Sequence, residues 1–401
     1  MGRTYDAVVV GGGPAGATAA WDLARAGHDV LLLDRAGRIK PCGGAIPPRL
    51  VRDFQIPDHL MVGRAHGARM IAPSGRVVDM PIDGGGFVGM VDRGEYDEWL
   101  RARAAMAGAE RRRGTFTALD RDCDGTALVR FTEGRGGTGQ EVRARFVVGA
   151  DGARSGVARA ALPGGGRTPF VAAYHEVVES PAQDSDVFQR ARADVYYQGR
   201  HSPDFYAWVF PHGPQASIGV GSARKGFPLR EAVARLRAET GLDACPTIRV
   251  EGAPIPLKPL RRWDNRRDVV VAGDAAGVVA PASGEGIYYA MASGRMAAEA
   301  VDEAIRTGDA RALAQVRRRF MAQHGRVFWI LGIMQFFWYR SDALRERFVK
   351  ICADPDVQEL TWQSYMNKEL VRRKPGAHLR IFLKDTAHLI ASLTGRAAPG
   401  T

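Results

Sequence analysis

Gly11, Gly13 and Gly16 form a Gly-x-Gly-x-x-Gly turn, and an acid, Asp34, stands downstream of it. Each residue has a separate task. Gly11 permits the tight turn, Gly13 lets the backbone approach a pyrophosphate, and Gly16 lets helix and strand pack closely. A helix starting here offers free N–H groups and the positive end of its dipole to phosphate. Asp34, at a strand end, is placed to accept hydrogen bonds from a ribose diol, and its charge would repel a 2′-phosphate.

Two further glycine-bearing turns carry comparable chemistry. One is Gly149-Ala-Asp151-Gly152-Ala-Arg-Ser155. The other is Gly273-Asp274-Ala-Ala-Gly277, followed by Pro281-x-x-Gly284-Glu-Gly286 and a helix. Asp274 is suited to a polyol chain, and the helix after Gly284 aims its positive end at anionic charge. Either motif alone is equally a surface turn. All three in this order point to one extended dinucleotide across the carboxyl edge of a parallel sheet.

The elements that must position these turns are legible around them. Tyr5–Val10 reads as a buried strand, Ala17–Ala26 as a helix closed by Gly27, and His28–Leu33 as a second strand. Together they make a complete βαβ unit. Arg93–Gly108 has helical spacing, and Phe146–Ala150 is another apolar strand. From Thr168 to Leu260 the pattern alternates at period two over Val171–Val178, Ala193–Tyr197, Phe205–Phe210 and Ala216–Val220, with one amphipathic helix at Leu229–Thr240. Asp268–Gly273 returns to an apolar strand, and the chain then reads mostly helical.

The expected fold is therefore α/β (α+β overall): a Rossmann-type dinucleotide-binding domain, an inserted antiparallel β-sheet substrate domain and a C-terminal helical region. The expected boundaries are 1–65, 92–165 and 265–310 for the first, 66–91 and 166–264 for the second, and 311–401 for the third.

Composition supports a folded enzyme: 401 residues, 45% apolar and 25% charged. The net charge of +12 suits an anionic partner or an arginine-rich source equally. No aromatic RNP-like pattern or cysteine–histidine finger accompanies it, so no nucleic acid is expected. Cys42, Cys123, Cys245 and Cys352 are scattered, which argues against a zinc site and a disulfide scaffold and fits a reducing cytoplasm. His175, His201 and His212 lack ligand spacing, so no metal is expected.

The set GGGPAG…D, GADGARS and GDAAGxxxPxxGEG resembles the FAD-dependent family that contains p-hydroxybenzoate hydroxylase. That resemblance implies FAD held by the first and third motifs, and a second motif linked to FAD and NAD(P)H use. It also places Arg93, in Val91-Asp-Arg-x-x-Tyr-Asp-x-Trp-Leu100, beside the flavin's polar chain. Lys40-Pro-Cys42-Gly43-Gly44 and Tyr206-x-Trp208-x-Phe210-Pro211 resemble elements of the geranylgeranyl reductases. The strings Lys40–Leu50, Met80–Val91 and Pro254–Leu260 are similar to the (bacterio)chlorophyll branch of that family.

The resemblance implies a reductase that uses FAD and NADPH to saturate three isolated double bonds of a geranylgeranyl tail, on pigment or on free diphosphate. The implied cofactor contacts are Gly11, Gly13, Pro14, Ala15, Gly16, Asp34, Arg35, Cys42, Gly43, Gly44, Ala45, Arg93, Asp151, Gly152, Gly273, Asp274, Pro281, Gly284, Gly286 and Ile287. Cys42, Gly43 and Gly44 carry the catalytic assignment, and Tyr206, Trp208, Phe210 and Pro211 the substrate one. Cys42 is equally a proton donor, a cap on the slot or a packing residue.

Val327–Tyr339 holds six aromatics and no charge, and is too short to span a bilayer. It is an interfacial anchor, a tunnel wall or a buried helix, and nearby Arg340, Arg345, Arg347, Arg372, Arg373 and Lys374 suit an anionic membrane surface. The expected location is cytoplasmic or peripheral on a photosynthetic membrane. A monooxygenase on the same scaffold, an archaeal-type lipid reductase and a non-enzymatic flavin carrier are the competing readings.

Overall fold

The structure is a computed structural model that describes residues 3–35, 42–134 and 137–368. The strand β1 (Thr4–Val10) runs through the first glycine turn into α1 (Pro14–Arg25) and returns as β2 (Val30–Asp34). After β3 (Ala45–Ile46) and α2 (Pro48–Asp53) come β4 (Met61–Ala65), β5 (Gly67–Ile71), β6 (Val77–Pro81) and β7 (Val88–Val91). The helix α3 (Arg93–Met106) leads to β8 (Glu110–Arg113), β9 (Thr115–Arg121), β10 (Ala127–Thr132) and β11 (Gly139–Gly149).

Beyond α4 (Gly156–Ala161) lie β12 (Phe170–Glu179), β13 (Arg192–Tyr196), β14 (Ala207–His212) and β15 (Gln215–Ser222). Next come α5 (Leu229–Glu239), β16 (Thr247–Pro256) and β17 (Val269–Val271). The chain closes on α6 (Ile287–Thr307), α7 (Gln315–Trp338), α8 (Asp342–Ile351) and α9 (Pro355–Asn367).

The strands make three sheets. In the first, β8-β2-β1-β11-β10-β9, β17 adds to the side of β11. Its centre is parallel: β1 pairs with both β2 and β11, and β11 pairs with β17. Val8, Val9, Leu31, Leu32, Val147 and Val270 are fully or almost fully buried there, because helices cover a parallel sheet on both faces. α1 packs on α6 through glycine. A Cβ at Gly294 would lie 2.2 Å from the Ala15 carbonyl oxygen, so α6 tolerates no side chain at that position.

The second sheet runs β16-β12-β15-β14-β13-β5-β6, mostly antiparallel, with α5 covering one face. Period-two alternation sorts β14 cleanly. Ala207 and Val209 face the core under α5, whereas Tyr206, Trp208 and Phe210 face a second cluster with Tyr197, Phe205 and Tyr339. The third sheet is the small β3-β7-β4. The mixed α/β architecture with a helical C-terminal part agrees with the sequence reading. The first helix begins at Pro14 rather than Ala17, and nine strands went unread: β3 to β10 and β16. The first half of β11, from Gly139, also lies outside the strand read at Phe146.

Candidate active site

The three glycine turns stand at the carboxyl ends of β1, β11 and β17, side by side on the parallel sheet. At the first, Gly11 has φ +105°, and a Cβ there would lie 2.3 Å from the Ala150 carbonyl oxygen. A Cβ at Gly16 would lie 1.8 Å from the Gly11 carbonyl oxygen. The backbone is thus fixed on its protein side. Gly13 is different: a Cβ there meets nothing within 4 Å, and no side chain caps α1 at this residue. Uncapped helix N–H groups facing open space fit a pyrophosphate. Pro14 occupies a position that has no N–H to lose, and Ala15 is buried against Gly273.

Asp34 ends β2 beside this turn, 3.4 Å from Arg101. Burial raises its carboxyl, and the Gly12 N–H and Arg101 counter that rise. Arg35 follows it and is exposed.

At the second turn Asp151 works locally. Its carboxylate accepts from Ser155 and from the N–H groups of Gly156 (2.6 Å) and Val157 (3.2 Å), which fastens the start of α4. Gly152, with φ +89° and nothing within 4 Å, faces open space. At the third, Gly273 and Gly284 both have positive φ, Asp274 and Pro281 are buried, and Gly286 precedes Ile287 at the start of α6. The Glu285 carboxylate accepts from Tyr288 N–H at 2.9 Å and pairs with the buried Lys368 at 2.9 Å, a link from the end of α9 that the sequence did not signal.

Lys40 and Pro41 lie outside the described residues, but Cys42-Gly43-Gly44 does not. A Cβ at Gly43 would press on the Phe210 ring at 2.9 Å. Gly44, at φ +65°, approaches both the Val91 carbonyl (2.5 Å) and His212 Nε2 (2.6 Å) at the position of its missing Cβ. The two glycines therefore let this loop lie flat on the aromatic strand. Two motifs some 160 residues apart share one wall. Cys42 Sγ accepts from the Gly44 N–H at 3.5 Å and lies against Arg93. Burial alone would depress the Arg93 guanidinium. Asp97, bonded at 2.9 and 2.7 Å, and Cys42 outweigh it and keep the cation protonated.

On the aromatic strand, Tyr206 Oη donates to the Ser283 carbonyl at 2.6 Å and ties the second sheet to the third glycine turn. Phe210 is half-buried 6.1 Å from Trp208, and Pro211 continues the strand, buried. Trp208 Nε1–H donates to Ser217 Oγ at 3.2 Å, and His175 Nδ1 lies 2.9 Å from the same oxygen. His175 Nε2 lies 2.9 Å from Glu251, its cross-strand partner. The carboxylate accepts, so in the neutral ring Nδ1 is free to accept from Ser217.

Arg249 extends this chain to Glu251 (3.1 Å) and to Asp92 (2.9 Å), the N-cap of α3 immediately before Arg93. Gly219 makes room for it, since a Cβ there would lie 2.2 Å from the Trp208 indole and 2.6 Å from His175. His175 and His212 carried no spacing signal in the sequence; cross-strand register is what recruits them. His212 Nδ1 donates to the Phe210 carbonyl (3.1 Å), and burial pushes the ring down to about 4, leaving Nε2 an acceptor beside Gly44. Among the described residues no cluster of His, Cys, Asp or Glu could hold a metal ion.

Comparison with known proteins places this geometry. The profile of the FAD binding domain matches residues 78–323, and that of an NAD(P)-binding Rossmann-like domain matches residues 9–77. The geranylgeranyl diphosphate reductase of Rhodobacter capsulatus is 56% identical over 387 residues, covering 96% of this chain and 97% of that protein. The chain belongs to the geranylgeranyl reductase family. It is an FAD-dependent oxidoreductase. The chloroplastic geranylgeranyl diphosphate reductase of Oryza sativa is 37% identical, with 97% of this chain and 87% of that protein covered. Among solved structures, a geranylgeranyl bacteriochlorophyll reductase-like protein of Thermoplasma acidophilum shares the fold with a TM-score of 0.79 at 23% identity. That match covers 94% of this chain and 99% of the other.

Proposed function

We propose that this reductase saturates isolated double bonds of a geranylgeranyl tail, on a (bacterio)chlorophyll or on the free diphosphate, with NADPH as the reductant and FAD between them. The reading rests on one observation above all: Cys42-Gly43-Gly44 lies flat against Phe210 and His212, so the loop and the aromatic strand form one slot wall. In this division of labour residues 1–65, 92–165 and 265–310 hold the cofactor, and 66–91 and 166–264 bind the tail.

An isolated alkene has no carbonyl to polarise. Each bond takes up one hydride and one proton, and alignment supplies much of the rate. Bound FAD, once reduced, supplies the hydride. The chain's own residues do the rest. Gly13, Gly152 and the N-terminus of α1 receive the phosphates, Asp34 the ribose and Asp274 the polyol chain. Arg93, fixed by Asp97, holds positive charge beside Cys42. Tyr206, Trp208 and Phe210 exclude water from the tail, and Cys42 is the candidate thiol for proton delivery.

The substrate is a lipid, and the enzyme works at the periphery of an anionic membrane. No described helix is long and apolar enough to cross one. Mass spectrometry of prenylated pigment and of geranylgeranyl diphosphate, each incubated with holoenzyme and NADPH without air, tests the reading. Products gaining hydrogen and no oxygen are expected. A strict requirement for dioxygen, or oxygen in the product, overturns it.

A further inference from the structure

The helix α7 has two faces with opposite tasks. Trp329, Ile333 and Phe336 follow one another along a single stripe, and they are 69%, 47% and 68% exposed. An apolar stripe of this size on a solvent face is a contact surface rather than decoration. Arg326 precedes it and Arg340 follows it on the same side, both exposed. Neither pairs with a carboxylate among the described residues, and Arg340 instead lies over the Phe336 ring at 4.8 Å. The helix contains no acid from end to end. Its inner face is a wall of the aromatic cluster: Leu331 and Trp338 pack there, and Tyr339, at its C-cap, donates to the Ala282 carbonyl at 2.9 Å.

We propose that α7 seats the enzyme on an anionic lipid surface, with Trp329, Ile333 and Phe336 entering the interface and Arg326 and Arg340 engaging lipid phosphates. The proposal rests on the peripheral-membrane part of the reading above and names its surface. An amphipathic helix with aromatic and aliphatic groups flanked by cations is the pattern that lies in the plane of a bilayer. A second copy of the chain fits less well. An antiparallel two-fold pairing of this stripe would bring Arg326 of one copy against Arg340 of the other. The net charge of +12 favours the anionic leaflet further. The same helix would then touch both the membrane and the wall of the tail site.

Cosedimentation of the holoenzyme with phosphatidylcholine vesicles, with and without phosphatidylglycerol, tests this. Binding to the anionic vesicles, weakened by salt, is expected. The triple variant Trp329→Ser, Ile333→Ser, Phe336→Ser should bind roughly tenfold more weakly or worse. The pair Arg326→Gln, Arg340→Gln should lose binding only on anionic vesicles. Both variants should keep reductase activity on detergent-dispersed substrate, and brominated acyl chains should quench Trp329 emission in the parent alone. A parent that ignores vesicles overturns the proposal, as does a triple variant that binds like the parent. A parent that ignores vesicles and sediments as a dimer the triple variant cannot form assigns the face to a second copy instead. Vesicle binding without alkene reduction keeps the surface and removes the activity reading.

Discussion

The glycine-lined edge of the parallel sheet and the aromatic strand β14 form two sides of the proposed site, yet they are specified in different ways. At the edge the backbone does the work. Gly11, Gly16 and Gly273 are forced by contacts that leave no space for a methyl group, while Gly13 and Gly152 face open space. On β14 the side chains do the work, and their state depends on neighbours from distant strands: Gly219 clears space, and Ser217 and His175 hold the indole. Local steric necessity leaves a signature in a short motif, whereas cross-strand accommodation does not.

The contrast can be broken at the glycine edge first. Gly16→Val puts atoms where the Gly11 carbonyl already lies, and a loss of roughly 4 kcal/mol or more is expected. Thermal unfolding together with the flavin absorbance of the purified protein reads it. Colourless, destabilised protein is the expected outcome; a yellow protein with parental Tm would mean the turn is not fixed as described.

The second effect is a pH dependence on the aromatic side. His212 is held at about 4 by burial, against an ordinary 6.5. Between those values the unfolded chain binds a proton that the folded one refuses, so stability falls as pH drops through that window. The loss approaches roughly 3 kcal/mol near the lower end. Urea unfolding across this range should show a slope that His212→Phe largely removes.

A smaller change separates packing from polarity. Trp208→Phe keeps a ring in the cluster and removes the N–H that Ser217 accepts, at a cost of about 1 kcal/mol. His175→Phe should alter the same chain from its other end, so the two changes combine less than additively in a double-mutant cycle. If Trp208 is set by that chain, both variants raise KM for the prenyl substrate more than they change the rate of flavin reduction by NADPH. Equal effects on both steps would mean a structural role alone. The smallest stability effect belongs to Trp329→Ser, expected within about 0.5 kcal/mol of the parent because its ring is mostly exposed.

The division of legibility follows the same line. The βαβ unit, the three turns and the alternation of β14 were readable because each rests on neighbours in sequence. The strands β9 and β10 were not: no residue of β9 is fully buried and its exposure does not alternate cleanly, and Arg121, Arg130 and Arg143 interrupt the apolar pattern of the hairpins. The segment from Val327 to Tyr339 was open between anchor, tunnel wall and buried helix, and the structure splits it, with some rings inward and others to solvent. The Glu251 and Arg249 partners of His175 and Asp92 come from β16, a strand whose exposed alternate residues masked it. Arg372, Arg373 and Lys374 lie outside the described residues.

The placement of β17 carries a consequence for biogenesis. Its three residues complete the parallel centre by pairing with β11, although most of the chain has already emerged when they are made. Until residues 269–286 have emerged, the nascent polypeptide carries the edge of its main sheet exposed and the third glycine turn missing. Such long-range closure is slow and exposes sticky intermediates. Prosthetic-group capture is therefore expected only once β17 and the glycine turn that follows it have been made.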